Sequence, residues 1–214
     1  MRNVALAAGF FLFGALAGLS YFVIRKAGPE NIVRFQPIDE PTAFSLENAP
    51  AESVRGKIAT FSGTVNWQSR TATEAARLRQ AGGVQQGESL TTGDDGAAAV
   101  EFANFGSVTM GQKTGVDIIQ TLPADLVFEV ASGSAEFTSF GAAPFSVRGR
   151  HLLVTITNGS VRVSTNEVNH TVTVETTDSP VVVAYNDRQF NSHVLNLGKN
   201  QTFSFDDDRR LRLY

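Results

Sequence analysis

The stretch LTTGDDGAAAVEFANFGSVTM, residues 90–110, sets the character of the whole chain. It consists of glycine, small residues, two aspartates and hydrophobic residues at every second position. Val100 and Phe102 flank Glu101, and successive side chains of a strand point to opposite faces. The segment therefore reads as a half-buried strand, a turn and a second strand. Gly93, Asp94, Asp95 and Gly96 form a turn signal. They lack the spaced oxygen ligands of a calcium loop, whereas Asp-Gly is an ordinary turn pair. Gly106 is expected at the left-handed position of a three-residue loop, where glycine meets no Cβ clash.

Two later segments echo this one. VASGSAEF spans residues 130–137 and ITNGSVRV spans residues 156–163. Their glycines, Gly133 and Gly159, follow Gly106 at spacings of 27 and 26 residues. Ser132-Gly133 and Asn158-Gly159 suit two-residue hairpin turns, with Ile156 opposite Val161 and Thr157 opposite Ser160. A looser fourth echo, LNLGKNQTFSF, runs over residues 195–205. The same alternation marks Leu126, Phe128 and Val130, then Leu152, Val154 and Ile156, then Val172 and Val174, then Phe203 and Phe205. These are β-branched and aromatic types that strands favour. The phenylalanines of these strands fall on the inward phase, so core packing accounts for them. The expected class is all-β, a solenoid-like or sandwich domain of repeated strand-turn-strand units. One piece, TATEAARLRQ at residues 71–80, is rich in helix formers and reads as a short helix or an ordered loop.

The N-terminus differs. Residues 4–24 carry no charge, with Arg2 before them and Arg25 and Lys26 after. At ~1.5 Å per residue such a run reaches ~30 Å, the thickness of a bilayer core. A cleavable signal would stop near the small residues Ala15 and Ala17, but the apolar run continues past them. An uncleaved single-pass anchor in the cytoplasmic membrane is expected, with the bulk of the chain outside the cytoplasm. Gly14 and Gly18 are spaced for close packing of two anchors, which leaves homo-oligomerisation open. The expected organisation is an anchor over 1–26, a proline-containing tether over 27–57, a β domain over 58–205 and a charged C-terminal tail over 206–214.

Composition excludes several classes. The 214 residues carry a net charge of −3, so there is no basic field for nucleic acid. The absence of cysteine removes disulfides, thiolate chemistry and cysteine-based metal sites. His151, His170 and His193 show no close ligand spacing, so neither a metal nor a cofactor is expected. No residues combine as a catalytic constellation.

With these segments in view, the chain resembles the FecR family of bacterial extracytoplasmic domains. The resemblance lies in GTVNW (63–67), AGGVQQGESLTTGDDGAAAVEFANFGSVTMG (81–111), FEVASGSAEF (128–137), FSVRG (145–149) and NGSVRV (158–163). It implies an all-β fold outside the cytoplasmic membrane. Well-known members relay occupancy of an outer-membrane iron transporter to a sigma factor, through a cytoplasmic domain placed before the membrane helix. Here three residues precede the apolar run, so iron signalling of that kind is not expected. A non-catalytic module that binds another protein of the cell envelope is expected, with a sensor acting through a partner membrane protein as the alternative. The candidate partner surface comprises Glu74, Arg77 and Arg79 in the helical piece and Asp206, Asp207 and Asp208 in the tail.

Overall fold

The strand-by-strand alternation is realised in a computed structural model that describes residues 47–213. The expected membrane anchor and the tether up to residue 46 lie outside the described residues. In chain order the strands are β1 (Gly56–Ser62), β2 (Val65–Gln68), β3 (Ala76–Arg77), β4 (Gly83–Val84), β5 (Ser89–Thr92), β6 (Ala97–Phe102), β7 (Gly106–Met110), β8 (Gly115–Leu122) and β9 (Asp125–Ser139). They continue with β10 (Phe145–Gly149), β11 (Leu152–Ile156), β12 (Gly159–Asn166), β13 (Thr171–Thr176), β14 (Val181–Asn186), β15 (Ser192–Leu197), β16 (Thr202–Asp206) and β17 (Leu211–Leu213). There is no helix among the described residues.

The pairings trace two sheets joined by one strand. The first runs β4-β1-β6-β7-β9-β12-β13-β16-β17. The second runs β3-β2-β5-β8-β9-β10-β11-β14-β15. The first half of β9 pairs with β8 and β10, and its second half with β7 and β12. After β9, hairpins are laid down alternately: β10–β11 in the second sheet, β12–β13 in the first, β14–β15 in the second and β16–β17 in the first. Of the two expected architectures, this is the hairpin sandwich.

Alternation builds the core between the sheets. In β11, Leu152, Val154 and Ile156 are buried while Leu153 is exposed. Phe102 of the first sheet meets Phe128 and Phe145 of the second at 5.4 Å and 6.5 Å between ring centroids. Phe128 in turn meets Phe137 at 5.5 Å. A second aromatic group joins Tyr185 to Phe205 at 4.9 Å and to Phe203 at 6.2 Å. Full burial of each such ring stabilises by about 1.5–3 kcal/mol.

The glycine motifs play different parts from those expected. Only the first copy is a hairpin, with Ala98 opposite Met110 and Phe102 opposite Gly106. Its left-handed turn residue is Asn104, at φ 65°, while Gly106 holds φ 154°. Gly106 already opens β7, and a side chain there would run into the Thr138 carbonyl and the Phe145 ring. Ser132-Gly133 is no hairpin turn. It lies inside β9, where Gly133 at φ 72° lets one strand bend from the second sheet into the first. Asn158-Gly159 is a crossover, because β11 and β12 belong to different sheets. Ile156 and Val161 are therefore buried from opposite layers instead of pairing side by side. Each apolar face must be covered, and a strand folded back beside β11 would leave the facing layer empty.

Two further expectations are corrected. Of the two readings of residues 71–80 the helix is not found and the segment is an ordered connection; within it Ala76 and Arg77 pair with Trp67 and Asn66 on β2, and the Leu78 amide donates to the Val65 carbonyl at 2.7 Å. A helix of ten residues is marginal without a packed face, and the free edge of β2 offers backbone partners at once. The charged segment after residue 205 is no tail. Asp206 ends β16, and β17 pairs back on it.

The strands can be tested at two positions. Gly159 holds φ 97°, and a Cβ there would collide with the Ser179 side chain. Gly159→Val should cost on the order of 1–3 kcal/mol from backbone strain, whereas Asn158→Asp should be mild; equal urea midpoints would refute the assignment. Asp117 stands directly opposite Glu129. Burial, and then the Glu129 charge, raise its carboxyl above the usual 3.8. A raised folded value means that stability is present at low pH and lost as pH rises through that value. Asp117→Asn should therefore raise Tm at pH 7, with the gain vanishing below 3.8; a gain equal at pH 3 and pH 7 would contradict this origin.

Candidate functional site

The alternating hairpins bring four turns to one end of the C-terminal half: β10–β11, β12–β13, β14–β15 and β16–β17. Leu152 pairs with Tyr185, Thr171 with Asp206 and Asn186 with Ser192, so these turns are neighbours. These turns and the start of β15 carry all three histidines of the chain, and each histidine holds an aspartate. His151 Nδ1 donates to Asp207 Oδ1 at 2.9 Å, and its backbone amide reaches the same oxygen at 3.1 Å. His170 Nδ1 donates to Asp208 Oδ1 at 2.8 Å. His193 Nε2 donates to Asp187 Oδ2 at 3.0 Å while its ring stacks on Tyr185 at 4.9 Å.

The tautomer of His151 is set by its partners. Arg210 Nη2 lies 3.1 Å from His151 Nε2, and a guanidinium can only donate. Nε2 is therefore the acceptor, and the proton sits on Nδ1, facing Asp207. Asp207 is 6% exposed, and its backbone amide donates to the His170 carbonyl at 2.9 Å. The Arg210-His151-Asp207 chain thus ties the β16–β17 turn to the β10–β11 turn.

The other carboxylates respond to the same setting. The hydrogen bond from His193 holds Asp187 well below its usual range, at about 2, with help from Asn191 and the Gln189 amide. Asp208 is lowered first by the His170 hydrogen bond, and further by the charges of His170, Arg150 and Arg188. An open cleft of about 410 Å³ lies here, lined by His151, Arg188, Phe190, Asp207, Asp208 and Arg210. Among the described residues, no group of three histidines or carboxylates could hold a metal.

Beside the cleft lies an open sheet edge. Among the described residues, β15 pairs with β14 alone. Its sequence, SHVLNL, contains no lysine or proline, and its register shows no bulge. These are the devices that natural proteins use to protect free edges. The other free edges, β3, β4 and β17, are two or three residues long. A row of outward side chains crosses the second sheet toward β15: Ser89, Asp117, Glu129, Arg148, Leu153, Ala184 and Val194. It passes from acidic through basic to apolar. Val194 is 65% exposed, and Phe190 in the adjoining turn is 78% exposed.

The sequence-derived candidates are not gathered in one place. Glu74, Arg77 and Arg79 are exposed near the β3 edge, where Arg77 and Arg79 line a groove of about 500 Å³ with Trp67 and Leu78. Asp206, Asp207 and Asp208 belong to the turn end, and of these Asp207 is buried and Asp206 partly buried. Gly93 to Gly96 form a turn closed by the Gly96 amide on the Gly93 carbonyl at 3.1 Å. There Asp95 accepts from the Thr64 amide at 3.0 Å, and Asp94 pairs with Lys113 at 3.3 Å. Sequence reasoning missed Arg150, Arg188, Phe190 and Arg210. The one available signal was a histidine in or just after each of three turns.

The depressed Asp187 contributes stability above its unfolded value, lost as pH falls from 3.8 toward about 2. His193→Phe keeps a ring on Tyr185 and removes the donor. NMR titration should then place the Asp187 carboxyl closer to 3.8; an unmoved value would assign the shift to the Asn191 and Gln189 donors instead.

No family model matches the chain, and no curated protein matches it. Two crystal structures of a candidate anti-sigma factor from Parabacteroides distasonis ATCC 8503 share its fold, each with a TM-score of 0.50. They are 18% and 17% identical to it, and each match covers 58% of this chain. The match spans 57% of the length of those chains, little more than half. At this identity the likeness is one of fold.

Proposed function

We propose that the chain is a non-catalytic, membrane-anchored extracytoplasmic β module that binds another protein of the cell envelope, as a scaffold or assembly factor. The uncharged run over residues 4–24 supports the anchor. The observation that carries the binding reading is β15, a six-residue free edge without protection, bordered by Leu153, Val182 and Val194. An extended segment of a partner can add to such an edge through main-chain hydrogen bonds. The histidines support a non-catalytic reading. Both ring nitrogens of His151 hold internal partners, and the other two rings each fix an aspartate.

The resemblance to the FecR family and the fold shared with a candidate anti-sigma factor favour a second reading. In it the same module is a sensor or regulator that relays an envelope signal through a partner membrane protein. Both readings require the protein contact and differ in its effect on the cell. Val194→Lys places a charge on the open edge face, where no core packing is lost. Partner recovery by cross-linking in membranes should fall several-fold with Tm unchanged. Full recovery in both Val194→Lys and Val182→Lys would remove the edge as the contact. A transcript change on loss of the contact selects the regulator, and an unchanged transcript profile selects the scaffold.

A further inference from the structure

We propose that the cleft at the turn end binds an oxyanion group, a phosphate or carboxylate, through the guanidinium groups of Arg188 and Arg210, with Arg150 adding charge beside them. This binding is independent of any protein contact at the β15 edge.

Charge is shared out unevenly around the cleft. Its aspartates are already held by histidines: Asp207 by His151, Asp208 by His170 and Asp187 by His193. The arginines are left without them. Among the described residues, Arg188 and Arg150 make no hydrogen bond and no ion pair, although their charges reach Asp208. The Nε of Arg150 is buried with no partner. The one hydrogen bond of Arg210 goes to a neutral ring nitrogen, not to a carboxylate. On the sheet faces the pattern is different. Arg148 lies on Glu129 at 3.6 Å, and Arg162 bridges Glu136 and Glu175 at 2.9 Å and 3.7 Å. The guanidinium fork matches carboxylate and phosphate oxygens in two-point hydrogen bonds, and here the forks have no internal acceptor of that kind.

The backbone gives a second, separate reason. Arg150, His170, Phe190 and Arg210 all hold positive φ, between 51° and 64°. Each sits in one of the four turns at this end. That conformation is disfavoured for a residue with a Cβ, and glycine or asparagine relieves it. At the opposite end of the same strands the chain does use them, with Gly141, Gly159 and Asn200 at positive φ. At the cleft end every such position instead carries a long cationic or aromatic side chain. Arg210 and the exposed Phe190 line the cleft, His170 bonds its Asp208, and the charge of Arg150 acts on the same carboxylate. A ligand with an oxyanion and a ring or alkyl body would place the anion on the arginines and the body on Phe190. The volume of about 410 Å³ suits a small molecule of that kind.

The test uses the full chain in nonionic detergent, titrated with inorganic phosphate, acetate or chloride at constant ionic strength, with Tm as the readout. A saturable rise with phosphate or acetate, and none with chloride, is expected. The stronger of the two assigns the anion class. Arg188→Gln and Arg210→Gln should each weaken the apparent affinity by about tenfold. Arg188→Lys, which keeps the charge and loses the fork, should recover only part of it. Arg77→Gln, remote from the cleft, should leave it unchanged. Absence of a saturable response to either anion would overturn the proposal, as would an unchanged response in Arg188→Gln. Arg188 is exposed and has no hydrogen-bond or ion-pair partner among the described residues, so its variants test binding without testing folding.

Discussion

The bend in β9 at Gly133 is the constraint on which the two-sheet arrangement depends. One fifteen-residue strand supplies a pairing surface to four others, two in each sheet. If β9 stayed straight, its two halves would belong to one layer, and the apolar faces of β7 and β12 would have nothing to cover. The bend requires a backbone that passes within contact of Lys113 and Thr114, where a Cβ would collide with main-chain atoms. Glycine is thus demanded twice, by its torsion angle and by the closeness of the neighbouring turn.

Much of this fold could be read in the sequence because burial has a period of two. The inward phase deduced from Leu152, Val154 and Ile156, or from Phe203 and Phe205, is the buried phase. What could not be read is which strand lies beside which. Asn158-Gly159 has the composition of a hairpin turn and serves as a crossover, since the local chemistry of a turn is much the same whether the next strand returns beside its predecessor or crosses to the facing sheet. Residues 71–80 have helical propensity, but propensity is a weak preference of tenths of a kcal/mol per residue, and an open β2 edge outweighs it.

The turn-end cluster was illegible for a related reason. His151 and Asp207 are 56 positions apart, and His170 and Asp208 are 38 apart. Only the alternation of hairpins between layers makes them neighbours. The aspartates drew attention as an acidic run, the histidines only as absent metal ligands, and no spacing rule joins the two sets. Arg150 and Arg210 could be recognised only once their torsion angles were known, and Arg188 only once the fold had set it beside the cleft, because an arginine in a turn is otherwise ordinary.

The alternate laying down of hairpins has a consequence for how such chains vary. Each hairpin after β9 leans on the one before it in its own sheet and on the one opposite, with little reach beyond. The fold is therefore close to a one-dimensional stack, in which stability accumulates unit by unit. A further pair of hairpins could be appended beyond β15 and β17, or a pair removed, while the core around β9 kept every neighbour it has. Length is then an adjustable property of the architecture, because hairpins can be added to or removed from either sheet at the C-terminal end without disturbing β9.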